Sequence, residues 1–312
     1  MKLFLHKLKH WEYWTVYIVY MPVFFYWLWL MLKFKSFTFY KLANPGIHNG
    51  GFQGESKMDI YRLLPSSTFP KTVLIELQNK YDFNKIIAIN ELKFPLILKP
   101  DVGERGVDVI KVNSVLEIEK YYKTINKNFL MQEFIHFANE IGLFYYRIPG
   151  NQTGNISGIT LKKFLTVEGN GIESIEQLLR KIPRYEMQIK KLKSTIDLSE
   201  IIQKNEVRCL VPYGNHNRGT AFFDGENFIT EKLESSFNTI LNAVPGFYYG
   251  RLDIRFNSFE ELEKGENFSI IELNGVKSEP THMYDPKHSF WFGQKEIFKH
   301  QKVMLAIIKK LI

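Results

Sequence analysis

Hydrophobic and polar residues alternate in short runs along most of the chain after residue 70, which is the period of a β-strand with one buried face. The runs that fit this pattern are KTVLIEL, FLMQEFI, EIGLFYYRI, NISGITL, KFLTV, VRCLV, GTAFF, FYYGRLDIRF and FSIIELN. Hydrophobic residues recur at helical spacing in MDIYRLL, SVLEIEKYYKTI, GIESIEQLLRKI and the stretch after His288. Residues 183–206 are charged and irregular, and we expect a surface excursion there. The irregular mixture of strands, hairpins and helices predicts an α+β fold with mixed α/β layers.

The N-terminal region breaks this pattern with a continuous apolar run, YWTVYIVYMPVFFYWLWLML, at residues 13–32. The run is long enough to cross a bilayer core, yet lysines flank it on both sides, which disfavours a single span. We therefore expect residues 1–40 to form a membrane-associating segment that lies in the membrane interface or re-enters it, with both flanks on the cytoplasmic side. A buried core helix is the alternative. Residues 41–56 are glycine-rich and read as a linker or an ordered loop before a domain at 57–312.

The stretch FPLILKPDVGERGVDVIKV, at residues 94–112, predicts two strands joined by a glycine-containing loop. Lys99 closes the first strand, and Gly103 and Gly106 give the loop conformational freedom. A cation beside a flexible loop is a common way to hold phosphates, although no P-loop or dinucleotide fingerprint is present. A hairpin with an ordinary tight turn is the alternative.

Two strands late in the chain carry charged side chains on one face. Side chains alternate along a strand, so Arg251, Asp253 and Arg255 of GRLDIRF share a face. Glu272 and Asn274 of IIELNG likewise share a face. If the strands are neighbours, two carboxylates and an amide oxygen converge beside an arginine, which is a ligand set that suits Mg²⁺. The alternative is a solvated face of a two-sided sheet.

Composition narrows the options further. The chain has 312 residues, enough for two compact domains, and a formal net charge of +8. Lysine and glutamate are interspersed, with no long basic run, so we expect no nucleic-acid partner. The single cysteine, Cys209, excludes a disulfide framework and fits a reducing compartment, and we expect it to be buried and inert.

Taken in order, these motifs resemble the ATP-grasp superfamily, and among its members the carboxylate–amine ligases of the D-alanine–D-alanine ligase and cyanophycin synthetase type. The resemblance covers roughly residues 55 to 300. It is carried by PLILKPDVGERGV, by LMQEFI followed by Glu140, by FLTVEGNGIESIEQLL, and by GRLDIRF and IIELNG. It implies two α+β subdomains that clasp ATP.

The resemblance also implies roles for individual residues. The residues expected to contact ATP are Lys99, Gly103, Arg105, Gly106, Gln132, Glu133, Phe134, Ile135, Glu140 and Lys163. Lys162 is the alternative to Lys163, because the two point to opposite faces of one strand. Asp253, Glu272 and Asn274 would bind Mg²⁺, or Mn²⁺ in its place, and Arg251 and Lys99 would assist the acyl transfer. Lys57, Arg218 and His282 are secondary candidates.

The implied reaction is an ATP-dependent ligation of a carboxylate to an amine through an acylphosphate. D-alanine ligases carry a full N-terminal domain where this sequence has only about sixty residues, and the ending after the metal strand is NGVKSEPTH, so we expect substrates that differ from D-alanine. We expect small-molecule or lipid-linked substrates at the cytoplasmic face of the membrane, and a homodimer is an open option. A phosphotransferase and a non-catalytic nucleotide-binding protein are the competing functions.

Overall fold

The computed structural model describes residues 2–103, 106–212 and 214–312. The helices are α1 (Lys2–Lys9), α2 (Val16–Phe34), α3 (Lys57–Leu63), α4 (Phe83–Ile89), α5 (Val115–Thr124), α6 (Ile175–Arg180), α7 (Pro183–Glu186), α8 (Ile189–Leu192), α9 (Glu231–Asn242), α10 (Phe259–Glu263) and α11 (Phe290–Leu311). The strands are β1 (Thr72–Ile75), β2 (Leu96–Pro100), β3 (Ile110–Val112), β4 (Phe129–Glu133), β5 (Asn139–Tyr146), β6 (Asn155–Lys163), β7 (Leu165–Glu168), β8 (Val207–Val211), β9 (Ala221–Asp224), β10 (Tyr249–Phe256) and β11 (Phe268–Asn274).

The first sheet has four antiparallel strands in the order β1-β4-β2-β3. Its buried face carries Leu96 and Leu98, which alternate along β2 and pack against α4 and α5. Ser114 caps α5 by accepting a hydrogen bond from the Glu117 backbone N–H, as its position before the helical pattern predicts. The sheet and its two helices form one small α+β layer with Lys99 at the end of β2.

The second sheet has five antiparallel strands in the order β11-β10-β5-β6-β9. Leu252, Ile254 and Phe256 of β10 lie on one face, within the main hydrophobic core beside α9. The intervening residues of β10 lie on the other face, where Asp253 is directly opposite Glu272 of β11. The two strands that carry the carboxylates are therefore neighbours, which meets the condition for their charged side chains to converge.

Residues 165–211 form a third unit, and the prediction of an irregular surface excursion at 183–206 is wrong. Strands β7 and β8 pair with each other, and α6, α7 and α8 close over a core of their own. Tyr185, Ile189 and Leu192 are buried in this core, because the few apolar residues among the charges fall on one side of the short helices. Cys209 is exposed on β8, so the expectation that it is buried is also wrong.

The N-terminal helices lie against the body of the protein. Helix α2 is long and apolar enough to cross a membrane, and its outer side is exposed. Its inner side packs against α11 and makes specific hydrogen bonds: Trp27 Nε1 donates to Gln301 Oε1 over 2.8 Å, and Gln294 Nε2 donates to the Val19 carbonyl over 2.9 Å. Because the body satisfies these groups, α2 is a surface helix in this structure.

The glycine-rich stretch at 41–56 is an ordered loop. Asn44 is fully buried, and its side chain donates to the carbonyls of Gly50 and Tyr249 and accepts from the backbone N–H groups of Tyr248 and Tyr249. Gly51 lies so close to β11 that a Cβ atom there would stand 2.6 Å from Gly275 Cα. The loop thus joins the N-terminal helices firmly to the second sheet.

Candidate functional site

A cavity of about 1210 Å³ lies between the first and second sheets. Twelve of the predicted site residues line it. They are Lys99, Gly103, Gly106, Gln132, Glu133, Phe134, Ile135, Glu140, Arg251, Asp253, Glu272 and Asn274. Arg105, and with it Glu104 at the tip of the loop, lies outside the residues that the structure describes. The sequence motifs, which are up to 175 residues apart, are brought to one place by the packing of the two sheets.

Lys99 reaches the cavity from the end of β2. Its Nζ donates to the hydroxyl of Tyr61 over 2.9 Å and to the Ile271 carbonyl over 3.2 Å. Burial disfavours the ammonium and lowers the pKa of Lys99 to about 8, although Glu272 and Asp101 partly oppose this. Within the described part of the chain, Lys99 is therefore a cation without a carboxylate in direct contact, held where an incoming anion would be favourable.

The loop after β2 borders the cavity through its glycines. Gly106 has φ +67°, in the left-handed region that a side chain rarely adopts, so a glycine is required by the backbone there. Lys57, at the start of α3, donates from Nζ to the Gly103 carbonyl over 2.6 Å. Lys57 thus ties α3 to the loop and also lines the cavity.

Lys162, not Lys163, lines the cavity. Lys162 is buried, and its Nζ lies 2.9 Å from Glu140 Oε1 and 3.1 Å from Asp253 Oδ2. Burial opposes its charge, but Asp253 and Glu140 more than offset this and hold the pKa of Lys162 above its usual value. Lys163 is exposed and points away, because consecutive side chains alternate along β6. Lys163, the residue expected to contact ATP, is thus directed away from the cavity, and its alternative Lys162 is the one that lines it.

Glu140 is held by two cations at once. Besides Lys162, the Nε of Arg255 lies 2.8 Å from Glu140 Oε2. Gly214 leaves the room for this arrangement, since a Cβ atom there would stand 1.9 Å from Glu140 Oε1. Any ribose hydroxyl that bound to Glu140 would therefore meet a carboxylate that is already oriented by its ion pairs.

Arg251 and Asp253 form a pair beside this cluster. Arg251 Nε donates to Asp253 Oδ1 over 2.9 Å, and its NH1 donates to the Glu279 carbonyl over 3.4 Å. Burial opposes the charge of Asp253, but Arg251 and Lys162 outweigh it and hold the pKa of this carboxyl below its usual range. Gly142 of β5 gives the pair space, since a Cβ atom there would stand 3.1 Å from Arg251 Cδ.

The predicted metal ligands meet part of what a magnesium site needs. Asp253 and Glu272 face each other across β10 and β11, and Asn274 stands opposite Arg251. Among the described residues, the side chain of Glu272 makes no hydrogen bond or ion pair, and the buried Nδ2 of Asn274 has no partner. No group of three His, Cys, Asp or Glu side chains in the described part of the chain is placed to hold a metal ion. Asp253 and Glu272 would supply two carboxylates to Mg²⁺, and Asn274 would supply an amide oxygen. The remaining ligands of the ion would then come from water and phosphate.

Residues 132–135, at the end of β4, line the cavity and are among those expected to contact ATP. The Glu133 backbone N–H donates to the Lys71 carbonyl over 2.9 Å, so this group is not available to a base. The Ile135 N–H has no backbone partner among the described residues. Gln132 Nε2 donates to Thr72 Oγ1 over 2.7 Å, and Lys111 stands 4.2 Å from the centre of the Phe134 ring.

Several functional candidates were not predictable from the sequence motifs. Glu12 accepts two hydrogen bonds from Arg184 over 2.6 and 2.7 Å and lies 3.1 Å from His216 Nε2. This buried network joins the N-terminal segment to the third unit at the edge of the cavity. Lone charged residues in unrelated segments carry no sequence signal for such pairing, except that Glu12 interrupts an apolar region.

The secondary candidates Arg218 and His282 do not line the cavity within the described residues. His282 is buried, and its Nε2 lies 3.3 Å from Glu296 Oε2 of α11. It is therefore an interior histidine of the packing between α11 and the second sheet. Lys57, the third secondary candidate, does line the cavity.

Residues 56–149 match the family model described as a RimK-like ATP-grasp domain. This match confirms the resemblance to the ATP-grasp superfamily over those residues. The matched residues hold the first sheet, Lys99, the glycine loop and Glu140, and the mixed α/β ATP-grasp-like fold agrees with the prediction. No curated protein matches the sequence of the chain.

Solved structures of three ligases are similar to the chain at low sequence identity. D-alanine–D-alanine ligase from Bacillus anthracis is 12% identical with a TM-score of 0.46, over 82% of this chain and 68% of that one. VanG D-Ala:D-Ser ligase from Enterococcus faecalis is 14% identical with a TM-score of 0.42, over 82% and 61%. A bifunctional glutathione synthetase from Pasteurella multocida is 14% identical with a TM-score of 0.40, over 78% and 36%. The chain thus spans between about a third and two thirds of the length of these proteins.

Proposed function

We propose that the protein is an ATP- and Mg²⁺-dependent ligase that joins a carboxylate to an amine. One observation carries the proposal: Lys99 and the glycine loop face the carboxylate strands across a single cavity. Both kinds of charge line it: Lys57 and Lys99 stand beside the glycine loop, and Asp253 and Glu272 stand on the facing strands. A polyanion with its counter-ion is the ligand class that such a balance favours.

The reaction runs in two steps. An oxygen of the substrate carboxylate attacks the γ-phosphorus of ATP, the bond from γ-phosphorus to the bridging oxygen breaks, and ADP leaves. The neutral amine then attacks the carbonyl carbon of the acylphosphate, the carbon–oxygen bond breaks, inorganic phosphate leaves, and the amine proton passes to phosphate or solvent. An amide, ADP and phosphate are the products.

The residues of the chain act by position and charge. Lys99 binds the phosphates, and Arg251 stabilises the negative charge that develops on oxygen during acyl transfer. Asp253 and Lys162 hold the guanidinium and each other in place, so the charges are oriented before substrate arrives. Asp253, Glu272 and Asn274 would hold Mg²⁺, which when bound neutralises phosphate charge.

The N-terminal helices support a place for the protein at the cytoplasmic face of a membrane. Apolar side chains of α1 and α2 are exposed on one side, among them Phe4, Tyr17 and Phe25. Six lysines and one acidic residue lie within residues 1–42, a charge balance that favours anionic lipid. A helix that lies in the interface fits these features, since its inner side is already hydrogen-bonded to the body.

The proposal is tested by measuring ADP release with paired acids and amines, followed by trapping with hydroxylamine. A ligase gives a hydroxamate from the acylphosphate, whereas a kinase that phosphorylates hydroxyls gives none, and a non-catalytic protein releases no ADP. Asp253→Ala removes one metal ligand and the partner of Arg251, so ADP release should fall by at least about a hundredfold, which is the scale for loss of a charge-stabilising group. Unchanged turnover in this variant would refute the assignment of the site.

A further inference from the structure

We infer that the cavity has a second, apolar branch beneath α2 that binds the aliphatic chain of an amphiphilic substrate, whose polar end reacts at Arg251. The inference rests on the proposed ligase function and specifies its substrate class. The cavity measures about 1210 Å³, whereas sites for one small ligand occupy roughly 300–1,000 Å³. It therefore has room for a nucleotide and a further ligand.

The branch is lined by one continuous face of α2. The lining side chains fall on two adjacent rows with a spacing of four residues, which is the spacing that places side chains on one side of a helix. The first row holds Val16, Tyr20, Phe24 and Leu28, and the second holds Val19, Val23, Trp27 and Met31. Six of these eight side chains are aliphatic or phenyl groups with no hydrogen-bonding atom except the weakly accepting sulfur of Met31. The wall is thus suited to hydrocarbon.

The apolar wall meets the polar site at a defined junction. Glu279, whose carbonyl accepts from Arg251 NH1, accepts a hydrogen bond at Oε1 from the Tyr20 hydroxyl over 2.5 Å. Tyr249 lines the cavity two residues before Arg251 on the same face of β10, and it packs near Leu30 of α2. A ligand that lies along this path would have its polar end at Arg251 and its chain against α2.

The Tyr249 hydroxyl is a second indication of a ligand at this junction. The side chain is fully buried, and its hydroxyl has no hydrogen-bond partner among the described residues. An unpaired buried hydroxyl is unfavourable, because it has lost its contact with water without gaining a hydrogen-bond partner. A carbonyl or hydroxyl of a bound ligand next to its aliphatic chain would satisfy this group.

The branch is continuous with the exposed apolar surface of α2. Phe24 and Leu28 line the cavity and are also 62% and 43% exposed. They adjoin Tyr17, Met21 and Phe25, which are exposed and do not line it. An aliphatic chain can therefore keep contact with apolar side chains from the outer surface of α2 into the cavity. This continuity favours the aliphatic tail of a substrate over a peptide, which would need partners for its backbone groups.

Neighbouring phenylalanines allow a matched test. Phe24 and Phe25 are 62% and 64% exposed on the same helix, and only Phe24 lines the cavity. The probe is a twelve-carbon fatty acid with a photoreactive diazirine at its tail, added to the full-length protein in a fluorinated surfactant, which mixes poorly with alkyl chains. After irradiation, mass spectrometry maps the labelled residues, and 8-azido-ATP labelling of the same preparation reports the nucleotide site separately.

We expect the fatty-acid label on the inner side of α2 and on Ile297 of α11, which lines the cavity. Phe24→Asp places a charge at the branch and should reduce this labelling by at least about tenfold, while Phe25→Asp should leave it unchanged. Label confined to the outer side of α2, or equal loss in both variants, would overturn the inference. Loss of 8-azido-ATP labelling with intact fatty-acid labelling would instead count against the proposed function.

Discussion

Adjacent lysines on β6 provide a sharp test of how the charged cluster is built. Lys162→Met removes a cation whose side chain is 3% exposed and which contacts both Glu140 and Asp253. Lys163→Met makes the same chemical change one residue later, where the side chain is exposed. The pair therefore differs in environment and not in chemistry.

The expected loss of stability in Lys162→Met depends on the ion pairs that Glu140 and Asp253 keep when Lys162 is removed. Removing one partner of a buried ion pair costs roughly 3–5 kcal/mol, because the other charge stays buried. Glu140 keeps Arg255 at 2.8 Å and Asp253 keeps Arg251 at 2.9 Å, so we expect the lower end, about 3 kcal/mol, for Lys162→Met. The surface change Lys163→Met should alter the free energy of unfolding by less than about 0.5 kcal/mol.

The assay is urea unfolding followed by tryptophan fluorescence, with nucleotide binding measured on the folded proteins. With a denaturant dependence of about 3 kcal/mol per molar urea, Lys162→Met should lower the unfolding midpoint by about 1 M. It should also weaken ATP binding, and Lys162→Arg should restore part of both losses. Equal effects of Lys162→Met and Lys163→Met, or a change below about 0.5 kcal/mol for Lys162→Met, would refute the reasoning.

Three further predictions concern other parts of the molecule. Burial lowers the pKa of Lys99 to about 8, so its ammonium is lost as pH rises through that value. ATP affinity measured by calorimetry should therefore fall about tenfold between pH 7.5 and 9.5. Lys99→Arg should make the affinity independent of pH in this range, because arginine stays charged. Phe25→Glu should weaken binding to anionic vesicles by about tenfold in a sedimentation assay. The control Leu116→Glu, which alters a 76% exposed residue of α5, should have no effect. Equal effects of the two changes would argue against α2 as the part of the protein that contacts the membrane. Asn44→Ala should lower the free energy of unfolding by about 3 kcal/mol because it leaves buried backbone groups unpaired, while Asn151→Ala, at an exposed position, should not. A negligible change in Asn44→Ala would contradict the ordered loop.

The sequence predicted the strands and their faces well, because alternation within a strand is a local property. The sequence left open whether GRLDIRF and IIELNG are neighbours; the structure pairs them and sets Asp253 opposite Glu272. Strand alternation also established that only one of Lys162 and Lys163 could enter the cavity. It could not say which one, because the choice depends on which face of β6 the second sheet turns toward the first.

The long-range contacts were beyond the sequence pattern. The sequence did not reveal the small core around Tyr185 and Leu192, because charged residues surround these positions. Each helix there is a single turn, which is too short to show a helical repeat of hydrophobic residues. The ion pair between Glu12 and Arg184 joins segments 172 residues apart, and no local pattern reports it. The apolar run at 13–32 was recognised, but only the packing of Tyr20 and Trp27 shows that one side of α2 faces the cavity.

The chemistry of the central claim is tested most directly by following an oxygen atom. The carboxylic acid that gives the greatest ADP release is labelled with ¹⁸O in its carboxylate, and the reaction is run with ATP and the matching amine. A ligase that forms an acylphosphate transfers one carboxylate oxygen to phosphate, so mass spectrometry should find ¹⁸O in the inorganic phosphate in proportion to amide formed. Inorganic phosphate without the label, or ADP formation without amide, would contradict the account.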